Sequence, residues 1–327
     1  MKNPARLLAI LSLAGLAACS AFDYSAMTSK RYALIYGVST YDSAGTLGNP
    51  NLEYPDADAI DMSQMLAAKG FDEVRTRLSS NAPALRPTRA NLLLDLAYFG
   101  SKAGPNDMFL FYFSGHGLQD ATTLQGVTTT HEYILPYGAV VTDGFGGYTM
   151  DEANAVRDDQ LAGLLSANLK TPRKVVILDS CNSGGFIGKG LVVDITPPGP
   201  PHPSPFQPAV TPAILAEAIG NYGRMQSSLG AGGSPDGVIV LSAAGADESS
   251  YEAGQFPDGT PMQHGVMTYY LLQAPQSGDL NGDGVVTVTE TFALVKAGVD
   301  RHWNGAVTPD TSFLPHVSGG AVDFALF

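Results

Sequence analysis

The sequence has few cysteines and few basic residues, and each shortage excludes a class of protein. Only two of the 327 residues are cysteine, so a small scaffold held together by several disulfides is excluded. There are 18 basic residues against 31 acidic ones, which gives a formal charge of −13 at pH 7. No long basic stretch is present to neutralise phosphates, and the sequence predicts no nucleic-acid binding. A hydrophobic content of 44% indicates a folded chain rather than a disordered one.

Long apolar runs are also scarce, and no segment after residue 18 has the length and apolarity of a membrane span. At the N-terminus, two basic residues precede an apolar run too short to cross a bilayer, the layout of a secretory signal. Segment 16–20 (Leu-Ala-Ala-Cys-Ser) resembles the lipobox of bacterial lipoproteins. The resemblance implies a signal peptide over 1–18, a lipid on Cys19, a tether over 19–30 and a location in the bacterial cell envelope. The alternative is an ordinary small-residue cleavage site with a chance cysteine.

Strand-like and helix-like segments alternate over 31–327, which predicts one α/β domain with a mostly parallel sheet and helices on both faces. Strands are predicted at 31–38, 73–78, 107–113, 133–136, 174–179 and 238–243, and in most of these segments apolar residues predominate. Helices are predicted where apolar residues recur at helical spacing, at 56–68, 88–99, 158–169, 266–272 and after Thr287, and ordered structure is expected again at 211–223. Seven prolines within 187–211 predict a loop there.

Two of the apolar strands run into polar, glycine-rich segments that could carry chemistry. The first is followed by His116 between two glycines, and the second by Cys181 in the run Asp-Ser-Cys-Asn-Ser-Gly. In open α/β sheets, reactive groups collect beyond the carboxyl ends of the strands. A thiol beside an imidazole is held as thiolate and attacks carbonyl carbon, while flanking glycines let backbone N–H groups form an oxyanion hole. The alternative for Cys181 is a small buried hydrophobe, which its polar context does not favour.

Six histidines compete for the role of partner to Cys181. His116 is preferred for its place at a strand end between glycines. His264 is the main rival, but it precedes an apolar helix and is interpreted as a residue at a helix start. The remaining four lie in polar or proline-rich segments or before a strand: His131, His202, His302 and His316.

The two motifs, in this order, resemble the catalytic domain of caspase-like cysteine peptidases, especially bacterial metacaspase-like members, over about residues 31–300. The resemblance implies a caspase-like fold and hydrolysis of protein or peptide substrates. It implies a Cys181–His116 catalytic dyad, with the backbone N–H groups of Gly117 and Cys181 as oxyanion donors.

The same resemblance implies an acidic pocket in which Asp58 and Asp179 hold a basic side chain, so that cleavage follows arginine or lysine. Asp179 lies two residues before Cys181, and in a continuing strand both side chains face the same side. Caspases proper use arginines to hold aspartate, and no arginine occurs between Tyr32 and Val74. The alternatives are a strand-end cap for Asp179 and a helix first-turn acid for Asp58.

Segment 279–290 fits a twelve-residue EF-hand loop at every ligand position, with Gly284 at the tight turn. The predicted calcium ligands are Asp279, Asn281, Asp283, the backbone carbonyl of Val285, Thr287 and Glu290. The alternative is a simple turn rich in glycine and aspartate. The expected role of calcium is structural, at the start of the last helix.

The sequence therefore predicts an exported, lipid-anchored cysteine endopeptidase of metacaspase type. One alternative is a catalytically silent caspase-like interaction module stabilised by calcium. Another is a different thiol hydrolase, such as an amidase, whose acidic pocket holds an amine. Lys189 and Arg224 flank the proline-rich segment, so self-cleavage there is a further hypothesis.

Overall fold

The computed structural model describes residues 29–41, 50–124, 127–142, 148–180, 238–244, 249–307, 312–319 and 323–327; for 119–124, 127–130 and 318–319 it describes the backbone alone. Several sequence predictions lie outside these residues. They are the signal peptide 1–18, Cys19 and most of the tether 19–30, Cys181, the loop 187–211, Lys189, Arg224, and the segment 211–223 that was expected to be ordered.

The described residues contain thirteen strands and six α-helices. The strands are β1 (Arg31–Gly37), β2 (Glu73–Leu78), β3 (Met108–Ser114), β4 (Gly117–Leu124), β5 (Val127–Ile134), β6 (Val140–Thr142), β7 (Tyr148–Met150), β8 (Val156–Arg157), β9 (Arg173–Asp179), β10 (Val238–Ser242), β11 (Glu252–Gln255), β12 (Pro261–Gly265) and β13 (His316–Gly319). The helices are α1 (Pro55–Ala68), α2 (Arg89–Gly100), α3 (Asp158–Asn168), α4 (Val266–Leu271), α5 (Ala274–Ser277) and α6 (Val288–Gly298). A 3₁₀ turn spans Pro83–Leu85, and a π-helical segment, Val299–Asn304, follows α6 directly.

A six-stranded sheet in the order β13-β10-β9-β3-β1-β2 forms the centre of the domain. Five of its strands are parallel, and only the edge strand β13 pairs in the antiparallel sense. The strands β1 and β3 are almost wholly buried, as strands covered on both faces must be. The predicted α/β class with a mostly parallel sheet is confirmed.

Each face of the sheet is covered by its own apolar core. On β1, Ala33 and Ile35 pack in the core that includes α1, α4 and α6. The alternate residues Leu34 and Tyr36 pack in the core that includes α2 and α3. Because neighbouring residues of a strand point to opposite faces, one continuous apolar run serves both layers.

Smaller antiparallel units surround the central sheet and were not predicted. The strands β4, β5 and β8 form one, β6 and β7 another, and β11 and β12 a third. The short strand predicted at 133–136 is the end of the longer strand β5. His264, interpreted above as a residue at a helix start, lies within β12. None of the helices in the described ranges is long and apolar enough to cross a membrane.

Candidate active site

The carboxyl ends of β1, β3 and β9 lie level at one edge of the sheet. Gly37 at the end of β1 pairs with Ser114 at the end of β3, and Ser114 pairs with Asp179 at the end of β9. Since β2 lies on one side of β1 and β3 on the other, the strand order reverses here, and open α/β sheets bind ligands at such a point. The edge gathers Asp179 and the segment leading to His116.

His116 follows β3 and has only 4% of its surface exposed. Its Nε2 lies 2.7 Å from the carbonyl oxygen of Pro50. Because a carbonyl oxygen can only accept, Nε2 carries the proton and Nδ1 carries the lone pair of the neutral ring. Burial lowers the pKa of His116 to about 4. The imidazole is therefore neutral at pH 7, with Nδ1 as its basic atom.

Tyr41 holds the segment around His116 in place. Its hydroxyl accepts from the His116 backbone amide at 2.7 Å and donates to the carbonyl oxygen of Leu135 at 2.9 Å. Its ring packs on the imidazole, with centroids 4.7 Å apart. A Cβ at Gly115 would lie 2.7 Å from the same hydroxyl, and the φ angle there is 155°. Glycine at this position permits the close approach that orients the imidazole.

Asp58 lies in the first turn of α1 with 1% of its surface exposed. Its Oδ2 accepts from the Ser114 hydroxyl at 2.9 Å, and its Oδ1 lies 2.8 Å from Nδ1 of His264. The backbone amide of Gly265 donates to it at 3.2 Å. Its partners belong to β3 and β12, so this carboxylate does more than complement the start of its own helix.

Asp179 ends β9 and has 5% of its surface exposed. Its Oδ2 accepts from the backbone amide of Thr268 at 3.0 Å and from the hydroxyl of that residue at 2.6 Å. The same hydroxyl lies 2.6 Å from the phenol oxygen of Tyr112. The carboxylate is thus fixed by α4 rather than directed into bulk water.

Asp58 and Asp179 form an acidic pair on either side of Gly265. The Gly265 amide bonds to Asp58, and a Cβ on Gly265 would overlap the Asp179 carboxylate. Burial, followed by the negative charge of Asp58, raises the pKa of Asp179 to about 7. Burial also raises the pKa of Asp58, against the hydrogen bonds from His264 and Ser114.

No lysine or arginine of the described residues forms an ion pair with either acid. Among the described residues, the cationic partner of Asp58 is the ring of His264, which is charged only when it is protonated.

Three residues of this site were given no binding role by the sequence analysis, namely Ser114, Thr268 and His264. His264, interpreted as a helix-start residue, lies instead in the strand β12 just before α4, and its ring pairs with Asp58. Ser114 could have been predicted as a site residue from its position at a strand end, and Thr268 from its position in the first turn of a helix. No local pattern predicts the contact of His264, which depends on how β12 packs on α1.

Comparison with known proteins identifies the family. The caspase domain model, Peptidase_C14, matches residues 30–313. The chain belongs to the caspase domain family. It is similar to Metacaspase-1 of Schizosaccharomyces pombe, with 30% identity over 175 residues that cover 51% of this chain and 37% of that protein. Metacaspase-1 of Kluyveromyces lactis is 28% identical over 222 residues, which cover 64% of this chain and 47% of that protein.

The chain thus spans less than half the length of these metacaspase relatives. Among solved structures, the crystal structure of protein GSU0716 from Geobacter sulfurreducens matches with a TM-score of 0.53 and 20% identity. The match covers 90% of this chain and 95% of that one. At this identity, the likeness shows a shared fold.

In this caspase domain, Gly117 is buried and begins β4 directly after His116. On the other strand, the described residues end at Ser180, one residue before Cys181. The Cys181–His116 dyad and the oxyanion donors therefore stay predictions.

Segment 279–290 comprises the turn before α6 and the first three residues of that helix. Asp279 Oδ1 accepts from the Gly282 amide at 2.8 Å, and its Oδ2 accepts from the Gly284 amide at 2.9 Å. Gly284, predicted at the tight turn, has a φ angle of 85°. Glu290 accepts from the Thr287 amide at 3.0 Å. Within the described ranges, no three His, Cys, Asp or Glu side chains are arranged to hold a metal ion, and calcium binding stays a prediction.

Proposed function

We propose that this caspase domain is a cysteine endopeptidase of metacaspase type that hydrolyses peptide bonds after arginine or lysine. The observation that carries the proposal is the register of Ser114 with Asp179. It sets the strand that leads to His116 beside the strand that leads to Cys181, with their carboxyl ends level. The buried acidic pair lies at the same edge, and the similarity to metacaspases supports the same chemistry.

In the proposed mechanism, the Cys181 thiol gives its proton to Nδ1 of His116 while its sulfur attacks the carbonyl carbon of the peptide bond. The hydrogen bond from Nε2 to the Pro50 carbonyl stabilises the imidazolium that forms. The N–H groups of Gly117 and Cys181 bind the oxyanion. When the tetrahedral intermediate collapses, the C–N bond breaks and the imidazolium protonates the leaving amine. Water, deprotonated by Nδ1, then hydrolyses the thioester and restores the thiol.

The acidic pair supplies the proposed specificity. A guanidinium or ammonium group supplies the positive charge and the N–H donors that two buried carboxylates need. An acidic substrate side chain would instead add a third negative charge to a water-poor site. Selection of basic residues therefore follows from both attraction and repulsion.

The test measures cleavage of otherwise identical peptides with Arg, Lys, Gln or Asp before the cleaved bond. We expect cleavage after Arg and Lys, and its loss in Cys181→Ala and in His116→Ala, with unfolding curves confirming that both variants fold. Mass spectrometry of the products locates the bond. Cleavage after Asp, or equal cleavage by Cys181→Ala, contradicts the proposal. If there is no cleavage and a thiol probe does not label Cys181, the silent interaction module is supported. If small-molecule amides are hydrolysed and peptide bonds are not, the amidase is supported.

We also propose that the loop 279–290 binds calcium through the ligands predicted above. Calcium would neutralise the carboxylates and stabilise the start of α6. Asp283→Asn keeps an oxygen that can accept from the Val285 amide but removes one charge, and we expect it to lose the rise in melting temperature that millimolar calcium gives the wild type. Glu152→Gln removes one charge from an exposed acid far from the loop in sequence and is the matched control. An equal response of wild type and Asp283→Asn contradicts calcium binding.

A lipid anchor on Cys19 is proposed on the sequence of the first 20 residues alone. Two or more acyl chains hold a protein stably on a membrane, whereas a single chain binds marginally. We expect Cys19→Ala to remain unprocessed or to leave the membrane fraction. Unchanged mass and unchanged membrane retention of the variant contradict the anchor.

Self-cleavage at Lys189 or Arg224 is proposed as a consequence of basic specificity. Purified wild type should produce fragments ending at one of these residues during incubation, and Cys181→Ala should stay intact. Identical fragments in both preparations would assign the cut to a contaminating protease.

A further inference from the structure

The strand β12 carries an irregularity directly before His264. Ala253 pairs with His264 while Gln255 pairs with Pro261, so two steps along β11 match three along β12. The extra residue makes a β-bulge. Within it, Gln263 has a φ angle of 56°, and no other non-glycine among the described residues has a positive φ. Bulges and strained backbone of this kind occur where a side chain must be turned toward a site.

The bulge is followed by a histidine that bridges two carboxylates of α1. Nδ1 of His264 lies 2.8 Å from Asp58 Oδ1, and Nε2 lies 3.5 Å from Asp61 Oδ2. The contact with Asp58 is a hydrogen bond, and the Asp61 carboxylate lies within ion-pair distance of the other ring nitrogen, so both acids favour the protonated ring. The His264 side chain is 14% exposed and that of Asp58 is 1% exposed. The positive charge is thus held at a nearly dry site.

The titratable groups that face His264 come from two elements and are all acidic. They are Asp58 and Asp61 on α1 and Asp179 at the end of β9. On the paired strand β11, the Glu252 carboxylate accepts the backbone amides of Glu53 and Tyr54. Burial by itself would lower the pKa of His264, but its hydrogen bond to Asp58 and the charges of the three aspartates raise that pKa above the ordinary value.

We propose that His264 is a specificity-determining residue of the acidic pocket, whose imidazolium is a resident counter-ion that a basic substrate side chain replaces at Asp58. The inference rests on the proposed function, because it takes the acidic pair as the site for that side chain. A guanidinium and an imidazolium beside one carboxylate repel each other. Binding of the substrate therefore drives His264 toward its neutral form, and protonation of His264 opposes binding.

The coupling has a reciprocal form that can be measured. If a bound guanidinium lowers the proton affinity of His264 tenfold, then deprotonated His264 strengthens guanidinium binding tenfold. Affinity for basic ligands should rise with pH across the titration of His264. Asp179 ionises in the same direction, so the pH dependence of binding alone does not separate the two groups, and the titration of His264 itself must be followed.

The experiment follows the imidazole resonances of wild-type full-length protein by NMR from pH 5 to 9, with and without agmatine, a guanidinium that has no peptide bond to cleave. The His264 resonance is assigned as the one that is absent from the spectrum of His264→Asn. Asparagine is chosen because its side-chain amide keeps a donor near the Nδ1 position but carries no charge. His302, half-buried against Tyr270, is the internal control. We expect saturating agmatine to lower the proton affinity of His264 at least tenfold and to leave His302 unchanged. Butylurea, a neutral analogue, should have no effect.

The outcomes separate this inference from the function on which it rests. If agmatine binds and the titration of His264 does not move, the inference is overturned while the acidic pocket stands. If agmatine binds neither the wild type nor His264→Asn at any pH in the range, the basic specificity is contradicted and the inference falls with it. The KM for arginine peptides gives an independent check. It should decrease with rising pH in wild type and in His302→Asn, and it should decrease less steeply in His264→Asn.

Discussion

Two buried acidic sites of this caspase domain differ in what balances their charge. Asp95 of α2 is fully buried, and it accepts from Arg75 at 2.7 Å, from Nη2 of Arg77 at 2.8 Å and from the Tyr36 hydroxyl at 3.1 Å. Burial tends to raise its pKa, but the hydrogen bonds from the two arginines prevail and hold the pKa below the ordinary value. The acidic pair at the carboxyl edge has no arginine or lysine partner among the described residues, and its pKa values are raised.

The difference separates a structural ion cluster from a site prepared for a ligand. Around Asp95 the domain supplies every charge that the carboxylate needs. At the acidic pair it supplies uncharged donors and one histidine, whose pKa is raised, against the effect of its burial, by the hydrogen bond and charge of Asp58. Perturbed carboxylates of the second kind cluster at functional sites. The contrast predicts that substitutions at Asp95 lower stability and leave specificity unchanged, and that substitutions at the pair change specificity.

The largest expected effect is on stability at Asp95. Asp95→Ala leaves two arginines without their buried partner and should lower the free energy of unfolding by about 3 kcal/mol, because Arg75 is partly exposed and recovers some hydration. Urea unfolding measures the change, with Glu152→Ala, which removes an exposed acid, as the control. The ratio of Arg to Gln cleavage should stay at the wild-type value. A changed ratio would break the contrast between the two sites.

The next effect is on specificity at Asp179. Asp179→Asn keeps an oxygen for the Thr268 amide and hydroxyl but removes one charge of the pair. We expect kcat/KM for arginine peptides to fall about 100-fold, since loss of a buried charge partner costs roughly 2–5 kcal/mol. Cleavage of a matched glutamine peptide should change little. Equal losses for both peptides would mean that Asp179 supports the fold of the site rather than selecting its ligand.

Asp179→Asn should raise the stability of the folded protein at alkaline pH, whereas Asp95→Ala should lower it. The folded-state pKa of Asp179, about 7, lies above that of an unfolded aspartate, about 3.9. The folded protein then binds the extra proton between those values, and stability contributed by Asp179 is lost as pH rises through 7. Asp179→Asn should therefore be more stable than wild type at pH 8, by roughly 1–3 kcal/mol, and equal to it near pH 3. Unfolding at both pH values checks the sign. A variant less stable at pH 8 would reverse the electrostatic argument.

The smallest effect is expected at Ser114. Ser114→Ala removes one of the donors to Asp58 and leaves those from His264 and Gly265. We expect a loss of about 1 kcal/mol in stability and less than a tenfold rise in KM for arginine peptides. Ser114→Thr, which keeps the hydroxyl, is the matched variant. If Ser114→Ala were as harmful as Asp179→Asn, the hydroxyl would be a principal ligand contact.

The sequence was informative where local chemistry suffices. Thr88 precedes α2 and accepts from the Asn91 amide at 3.2 Å, as an N-cap threonine before an apolar helix predicts. The strand β3 is apolar along its length because helices cover both faces, and that pattern is visible without a structure. The positions of His116 and Asp179 at strand ends followed from the same reasoning.

The sequence by itself determined the five parallel strands of the central sheet, the main helices and the order in which the polar strand-end segments occur, because backbone propensity and apolar periodicity act over a few residues. Only the tertiary structure decided that Asp58 meets His264, 206 residues further along the chain, and that a bulged hairpin turns this histidine toward α1. It also decided that Asp95 would be neutralised by arginines and the acidic pair would not. Charge compensation acts through space at distances of a few ångströms, and no spacing along the chain encodes it.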